Sequence, residues 1–121
     1  MAEMTVLKRG MIVEVNLDPS LGSETGKTRP CVIVTNDVYN ERVPVVQVVP
    51  IIAWSRKKAQ VVTNIEIHPS KGSGLSKKSI ADCLQTRPID HRRRLVGIRG
   101  ELSLAKLKEI DHALRVVFEL N

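Results

Sequence analysis

The segment Met11-Ile12-Val13-Glu14-Val15-Asn16-Leu17 decides how the rest of the chain reads. Its apolar residues alternate, with Val13, Val15 and Leu17 on one face, which is the period of a β-strand. Asp18-Pro19-Ser20 ends the strand and opens a loop. Pro30 disfavours helix at Arg29 and holds it extended or in a turn. Cys31 to Thr35 is a short β-branched run that reads as a buried strand. Two strands flanking one loop therefore open the molecule.

That loop contains Gly22-Ser23-Glu24-Thr25-Gly26-Lys27-Thr28-Arg29. Its charges lie inside the turn rather than along a helix face. Loops on a rigid scaffold concentrate binding and catalysis. One carboxylate beside two cations, in a chain of net charge +6, points to an anionic partner.

Further along, Val43 to Ile52 is an apolar run with Pro50 near its end. Proline cannot donate to a ladder, so Pro50 is expected at an edge, a bulge or the strand end. Gln60 to Ile67, Ser79 to Gln85 and Leu95 to Ile98 read as further short strands, with a turn cluster over Pro69 to Gly74. Leu104, Leu107, Ile110, Leu114, Val117 and Phe118 instead recur at helical spacing. Ser103 is placed to cap that helix. The pattern predicts a mainly β fold with a C-terminal helix: a small, strongly bent sheet or barrel.

The 121 residues fit one domain spanning 1–121, without repeats or low-complexity linkers. The pI near 9.7 favours nucleic acid or an acidic protein as partner. Aromatic residues are only 2%, so no platform exists for stacking successive bases, and Trp54 is the one stacking candidate. Cys31 and Cys83 fit no metal or CxxC spacing and read as buried free thiols. Free thiols favour a cytoplasmic location. Met1 to Arg9 lacks the apolar stretch of a secretory signal, and no apolar run is long enough to span a membrane. His68, His91 and His112 show no ligand spacing, and no metal or cofactor is expected.

Cleaving RNA without a metal requires a proton acceptor for the 2′-hydroxyl, cationic donors for the phosphorane and a donor for the leaving 5′-oxygen. Arg29 suits the second task, because its planar fork matches phosphate oxygens and stays charged. Glu24 is the nearest candidate base. A plain Glu24–Arg29 ion pair that orders the loop is the competing reading. Gln85 and Arg87, at period-2 spacing, are expected on one strand face, with Asp82 on the other alongside Leu84. Arg56 to Lys58 can hold phosphates and Trp54 can stack a base.

The ordered blocks Arg9-Gly10, Val15 to Pro19, Gly22-Ser23-Glu24, Lys27 to Pro30, Thr35-Asn36-Asp37, Val49-Pro50-Ile51, Gly74 to Ser79 and Gln85-Thr86-Arg87 with Asp90 resemble the MazF/PemK-type toxins of bacterial toxin–antitoxin systems. The resemblance runs from Arg9 almost to the C-terminus. It implies an SH3-like small β-barrel with a C-terminal helix, forming a homodimer. It implies a metal-independent endoribonuclease that cuts single-stranded RNA at short sequences, leaving a 2′,3′-cyclic phosphate and a 5′-hydroxyl. A cognate antitoxin would block the RNA groove with an acidic segment.

Carried onto this chain, the resemblance makes Arg29 and Glu24 catalytic; from the residues themselves, Lys27, Thr28, Trp54, Arg56, Gln85 and Arg87 are the expected RNA-binding set. Two positions depart from the pattern. Ile52 stands where many members have a Thr or Ser; Ser55, three residues on, is the candidate catalytic hydroxyl in its place if the loop is shifted. Leu84 stands where an acid often precedes the glutamine. These departures keep open a catalytically weakened RNA- or antitoxin-binding module. A gyrase poison of the related CcdB type is the third reading, because fold alone does not fix function.

Overall fold

The computed structural model describes residues 6–121; the first five residues of the Met1–Arg9 segment lie outside the described residues. Seven antiparallel strands form the sheet: β1 Met11–Asn16, β2 Thr28–Ile33, β3 Val45–Ala53, β4 Asn64–Ile67, β5 Ser79–Asp82, β6 Arg87–Asp90 and β7 Leu95–Glu101. Their order is β4-β5-β3-β2-β1-β7, with β6 also paired to β3. Among the described residues four helices accompany the sheet: α1 Asp37–Arg42, α2 Arg56–Ala59, α3 His91–Arg94 and α4 Leu104–Phe118. The predicted mainly β architecture with a terminal helix is present. The sheet is bent but not closed, since no ladder joins β4 to β7.

The bend follows from burial on both faces of β1, β2 and β3. Ile12, Val32, Val49 and Ile51 pack on one face with Leu107, Ile110 and Ala113 of α4. Val13, Val15, Leu17, Cys31, Ile33, Val46 and Val48 pack on the other with Leu7 and Ile89. The single helix α4 covers only the first face. The second is enclosed by the sheet's own curl, with Leu95 of β7 and Ile89 of β6 closing over it. Register shifts between β1 and β7, at Ile12/Val13 and Glu14/Val15, contribute the bend. Gly74 adopts φ +70, and a Cβ there would sit 2.3 Å from the Arg99 carbonyl oxygen, so backbone contact against β7 requires glycine.

Pro50 corrects the sequence expectation. It lies well inside β3, which is central and pairs with β2, β5 and β6. The Val34 amide donates to the Gln47 carbonyl at 2.9 Å, which fixes the side of β3 that faces β2. By alternation, the Pro50 nitrogen points away from β2. On that far side β6 pairs only as far as Val48 and β5 begins only at Ile51. The missing N–H therefore falls in a gap between two ladders, where proline costs no bond.

Other boundaries shift as well. Ser79 to Gln85 is not one strand: β5 stops at Asp82 and Cys83–Gln85 forms a 3-10 turn. The Gln60–Ile67 run begins its strand only at Asn64, and β6 was not anticipated. α1 was also missed; Asn36 caps it by accepting from the Val38 amide at 2.8 Å. α4 matches its apolar stripe, and Ser103 accepts from the Lys106 amide as its cap. Arg9 ties α4 and α1 to the chain just beyond β2: it pairs with Asp111 of α4, donates from Nε to the Val34 carbonyl and from its amide to Asp37 of α1. Cys31 and Cys83 are buried free thiols, and burial pushes both up to about 12. No helix among the described residues is long and apolar enough to cross a membrane.

The α4 stripe yields a test. Ile110 is fully buried, whereas Leu104 is 68% exposed although both belong to the same stripe. Ile110→Ala should cost about 2–5 kcal/mol in urea unfolding. Leu104→Ala should stay within about 0.5 kcal/mol.

Candidate active site

The β1–β2 loop is zipped at its base. The Leu17 amide donates to the Lys27 carbonyl at 2.9 Å, and the Lys27 amide donates to Asp18 Oδ1 at 2.9 Å. Lys27 takes φ 66, a left-handed turn that returns the chain toward β2. Gly26 packs against this base: a Cβ there would sit 2.6 Å from Asp18 Oδ1 and 2.2 Å from Ser20 Oγ. Two arginines brace the loop from outside. Arg87 Nη1 donates to the Leu17 carbonyl at 2.9 Å, and Arg94 Nη1 donates to the Asp18 carbonyl at 2.7 Å. Arg94 gave no sequence signal, because it sits in a basic run of α3 that reads as solvated.

Gln85 clamps the loop tip. Its Oε1 accepts from the Thr25 amide at 3.2 Å, and its Nε2 donates to the Ser23 carbonyl at 3.2 Å. The expectation that Gln85 and Arg87 share a strand face fails, because the 3-10 turn rotates the chain between them. For the same reason Asp82 does not lie opposite Gln85. Both line one cleft of about 670 Å³ together with Glu24, Lys27, Arg29, Ile52 and Lys58. Arg87 lines the adjoining groove with Leu84, which is 68% exposed.

Arg29 donates from Nε to the Gly26 carbonyl at 2.9 Å, which anchors the guanidinium to the loop. Among the described residues its two terminal nitrogens have no hydrogen-bond partner, and no ion pair joins Arg29 to Glu24. Glu24 instead accepts from the Leu21 amide through Oε1 at 2.9 Å. The simple loop-ordering ion pair is therefore not formed. Continuing the β2–β3 register from Cys31↔Pro50 brings Arg29 level with Ile52. Ile52 gives the cleft an apolar floor.

The remaining predicted residues lie elsewhere. Thr28 is exposed at the start of β2, opposite Asn16. Trp54 donates its indole N–H to Glu66, and Lys78 Nζ sits 4.3 Å above its ring, so one face is already covered by a cation. Ser55 caps α2, its hydroxyl accepting from the Lys58 amide at 3.2 Å. Trp54, Ser55 and Arg56 do not line the cleft. Lys58, expected as a phosphate contact, does line it, and so does Asp82, for which no role was expected. Burial pushes the Asp82 carboxyl above its ordinary value, against the pull of the Gln85 and Leu84 amides and the Lys58 charge. No cluster of three metal-ligating side chains occurs among the described residues.

A bent antiparallel sheet with a loop cleft carrying an arginine of free donors defines a small β-fold protein with an open, charged cleft. Comparison gives the family. The model of the PemK-like, MazF-like toxins of type II toxin–antitoxin systems matches residues 8–118. The chain is 36% identical over 116 residues to the endoribonuclease MazF of Staphylococcus epidermidis, covering 96% of this chain and 94% of that protein. It belongs to the PemK-like, MazF-like toxin family. The fold is shared with MazF of Deinococcus radiodurans, at a TM-score of 0.80 and 20% identity over 97% of this chain and 100% of that one. It is shared too with a mycobacterial endoribonuclease solved in complex with its cognate antitoxin, at a TM-score of 0.73 and 19% identity over 98% of each chain.

Two outcomes check this geometry. Gln85→Leu removes both clamp bonds, each worth about 0.5–1.5 kcal/mol. The Thr25 amide should exchange with solvent about 5–10-fold faster, and the thermal midpoint should fall by several degrees. Asp82 binds its proton more tightly folded than unfolded. Wild-type stability should therefore fall as pH rises from the ordinary carboxylate range through the raised folded value. Asp82→Asn should be more stable than wild type at neutral pH, with the advantage gone in acid, as urea unfolding at a series of pH values will read.

Proposed function

We propose that this chain is an endoribonuclease toxin that cuts single-stranded RNA by attack of a 2′-hydroxyl on the adjacent phosphorus. The reaction breaks the bond to the 5′-oxygen and leaves a 2′,3′-cyclic phosphate and a 5′-hydroxyl, with no metal taking part. The observation that carries the reading is Arg29, whose terminal nitrogens are unpartnered while Nε is held by the Gly26 carbonyl. A fork anchored at one edge presents its other donors to phosphate oxygens without reorganising. In the proposed mechanism Arg29 binds the phosphorane and Glu24, on the loop beside it, accepts the 2′-hydroxyl proton. Accepting one amide bond leaves the Glu24 carboxylate with further acceptor positions.

Lys27 and Thr28 flank the strand's path. Gln85 and Arg87 serve it by holding the loop that carries Glu24. Ser55 enters through the α2 cap, and Arg56 and Trp54 stand beyond the cleft, where the RNA leaves it. The toxin works as a homodimer in the cytoplasm and is silenced by a cognate antitoxin. The family membership and the 36%-identical endoribonuclease favour this reading over a gyrase poison and over a module that only binds.

Digestion of a long mixed-sequence RNA in EDTA, with the cut ends sequenced, tests the reading. Wild type should give discrete cuts ending in cyclic phosphate. Arg29→Ala should lose about 10²–10³-fold or more in rate while its circular dichroism is unchanged. Equal cleavage by the two proteins would remove Arg29 from the mechanism.

A further inference from the structure

Cleavage needs a third group besides Arg29 and Glu24. The 5′-oxygen leaves as an alkoxide unless a donor meets it. Displacement at phosphorus runs in line, so the donor must stand across the phosphate from the proton acceptor. Glu24 and Lys27 both line the cleft from the β1–β2 loop. Ile52, in the floor, has no proton to give. One cation lines the cleft from elsewhere: Lys58, on α2.

The sheet order sets Lys58 apart from the loop. β2, carrying Arg29, is followed by β3, β5 and β4. α2 lies against β4. Lys58 is fixed from two directions. Its amide donates to Ser55 Oγ at 3.2 Å, and its carbonyl accepts from Asn64 Nδ2 at 2.9 Å. Asn64 in turn sits opposite Asp82 in the β4–β5 register. The ammonium takes part in no ion pair among the described residues, although Asp82 is close enough to feel its charge. A clamped backbone under an uncommitted ammonium is what a positioned donor requires.

We propose that Lys58 is a further catalytic residue, the donor that protonates the leaving 5′-oxygen. The inference rests on the nuclease reading above. In the step, the 2′-oxygen–phosphorus bond forms as the phosphorus–5′-oxygen bond breaks. Glu24 takes the 2′-hydroxyl proton, the 5′-oxygen takes one from the Lys58 ammonium, and exchange with water restores both groups. Ser55 is then a positioning residue, acting through the cap that sets the Lys58 backbone.

The test uses the full-length protein and an RNA oligonucleotide containing the linkage cut in the long RNA. A second oligonucleotide carries sulfur in place of the bridging 5′-oxygen; sulfur leaves readily as a thiolate and needs no proton. Lys58→Met should cut the oxygen substrate about 10²–10⁴-fold more slowly than wild type and the sulfur substrate at nearly the wild-type rate. Lys71→Met, which removes the same charge from an exposed turn outside the cleft, should match wild type on both. Arg29→Ala should be slow on both. Equal loss by Lys58→Met on the two substrates would overturn the assignment, leaving Lys58 a phosphate contact. Unchanged cleavage of the oxygen substrate would overturn it too. A wild type that cuts neither RNA would instead overturn the nuclease reading itself, and this inference with it.

Discussion

Everything in the cleft depends on the place where β3 changes partners. Its far side pairs with β6 up to Val48 and with β5 from Ile51 onward, and Pro50 sits in between with no N–H to offer. The opposing strand has to break there too. Ile51 faces Ala81 and Val48 faces Arg87, so three steps on β3 correspond to six on the partner. The excess is the three-residue turn Cys83–Gln85, which the proline gap expels from the ladder. Thr86 patches the break, donating to the Val48 carbonyl at 3.0 Å and accepting from Gln47 Nε2 at 3.1 Å. Gln85, thrown outward, reaches the loop that holds Glu24. A missing backbone donor thus ends up fixing a loop far away in sequence.

This chain of dependence explains what was legible in the sequence. β1 and α4 could be read directly, because each shows one period and local signals settle it: alternation in β1, and an apolar stripe with a Ser103 cap in α4. The buried thiols could be read for the same reason, from apolar neighbours and the absence of a ligand spacing. Pro50 could not, because its tolerance depends on what lies across the sheet. Gln85 and Arg87 were brought into one region for the wrong reason. The period-2 argument assumes an unbroken strand, and the turn that breaks it is written at Pro50, outside the segment being read. The small helices α1 and α2 were missed because four to six residues carry too few apolar positions to show a period.

The same limit applies to the site. Glu24 and Arg29 are near each other in sequence, so their meeting in one loop could be anticipated. Whether they neutralise each other could not, because that turns on the Leu21 amide and the Gly26 carbonyl, which the fold aims at them first. By engaging one atom of each side chain, the backbone keeps the pair apart and leaves both with unused hydrogen-bonding capacity. Asp82 and Lys58 reach the cleft through the sheet order, which no single segment encodes. Trp54, Ser55 and Arg56 looked prominent for their chemistry alone. The strand that ends at Ala53 carries them past the cleft, where Glu66 and the α2 cap occupy Trp54 and Ser55.

Charge is distributed according to the same division of labour. The chain carries +6, yet the cleft is lined by three cations, Lys27, Arg29 and Lys58, and three carboxylates, Asp18, Glu24 and Asp82. The basic surplus therefore lies outside it, in runs such as His91 to Arg94 and Arg56-Lys57. Charges spread over a surface attract a polyanion at long range and are screened by salt. Charges gathered over an apolar floor act at short range, where low dielectric makes each proton position costly to misplace. A uniformly basic cleft would bind phosphate tightly in the ground state and leave no acceptor for the 2′-hydroxyl proton. Balance inside and surplus outside lets the surface collect the strand while the cleft keeps acceptors beside its donors. The raised proton affinity of Asp82 is the structural cost of holding a carboxylate there.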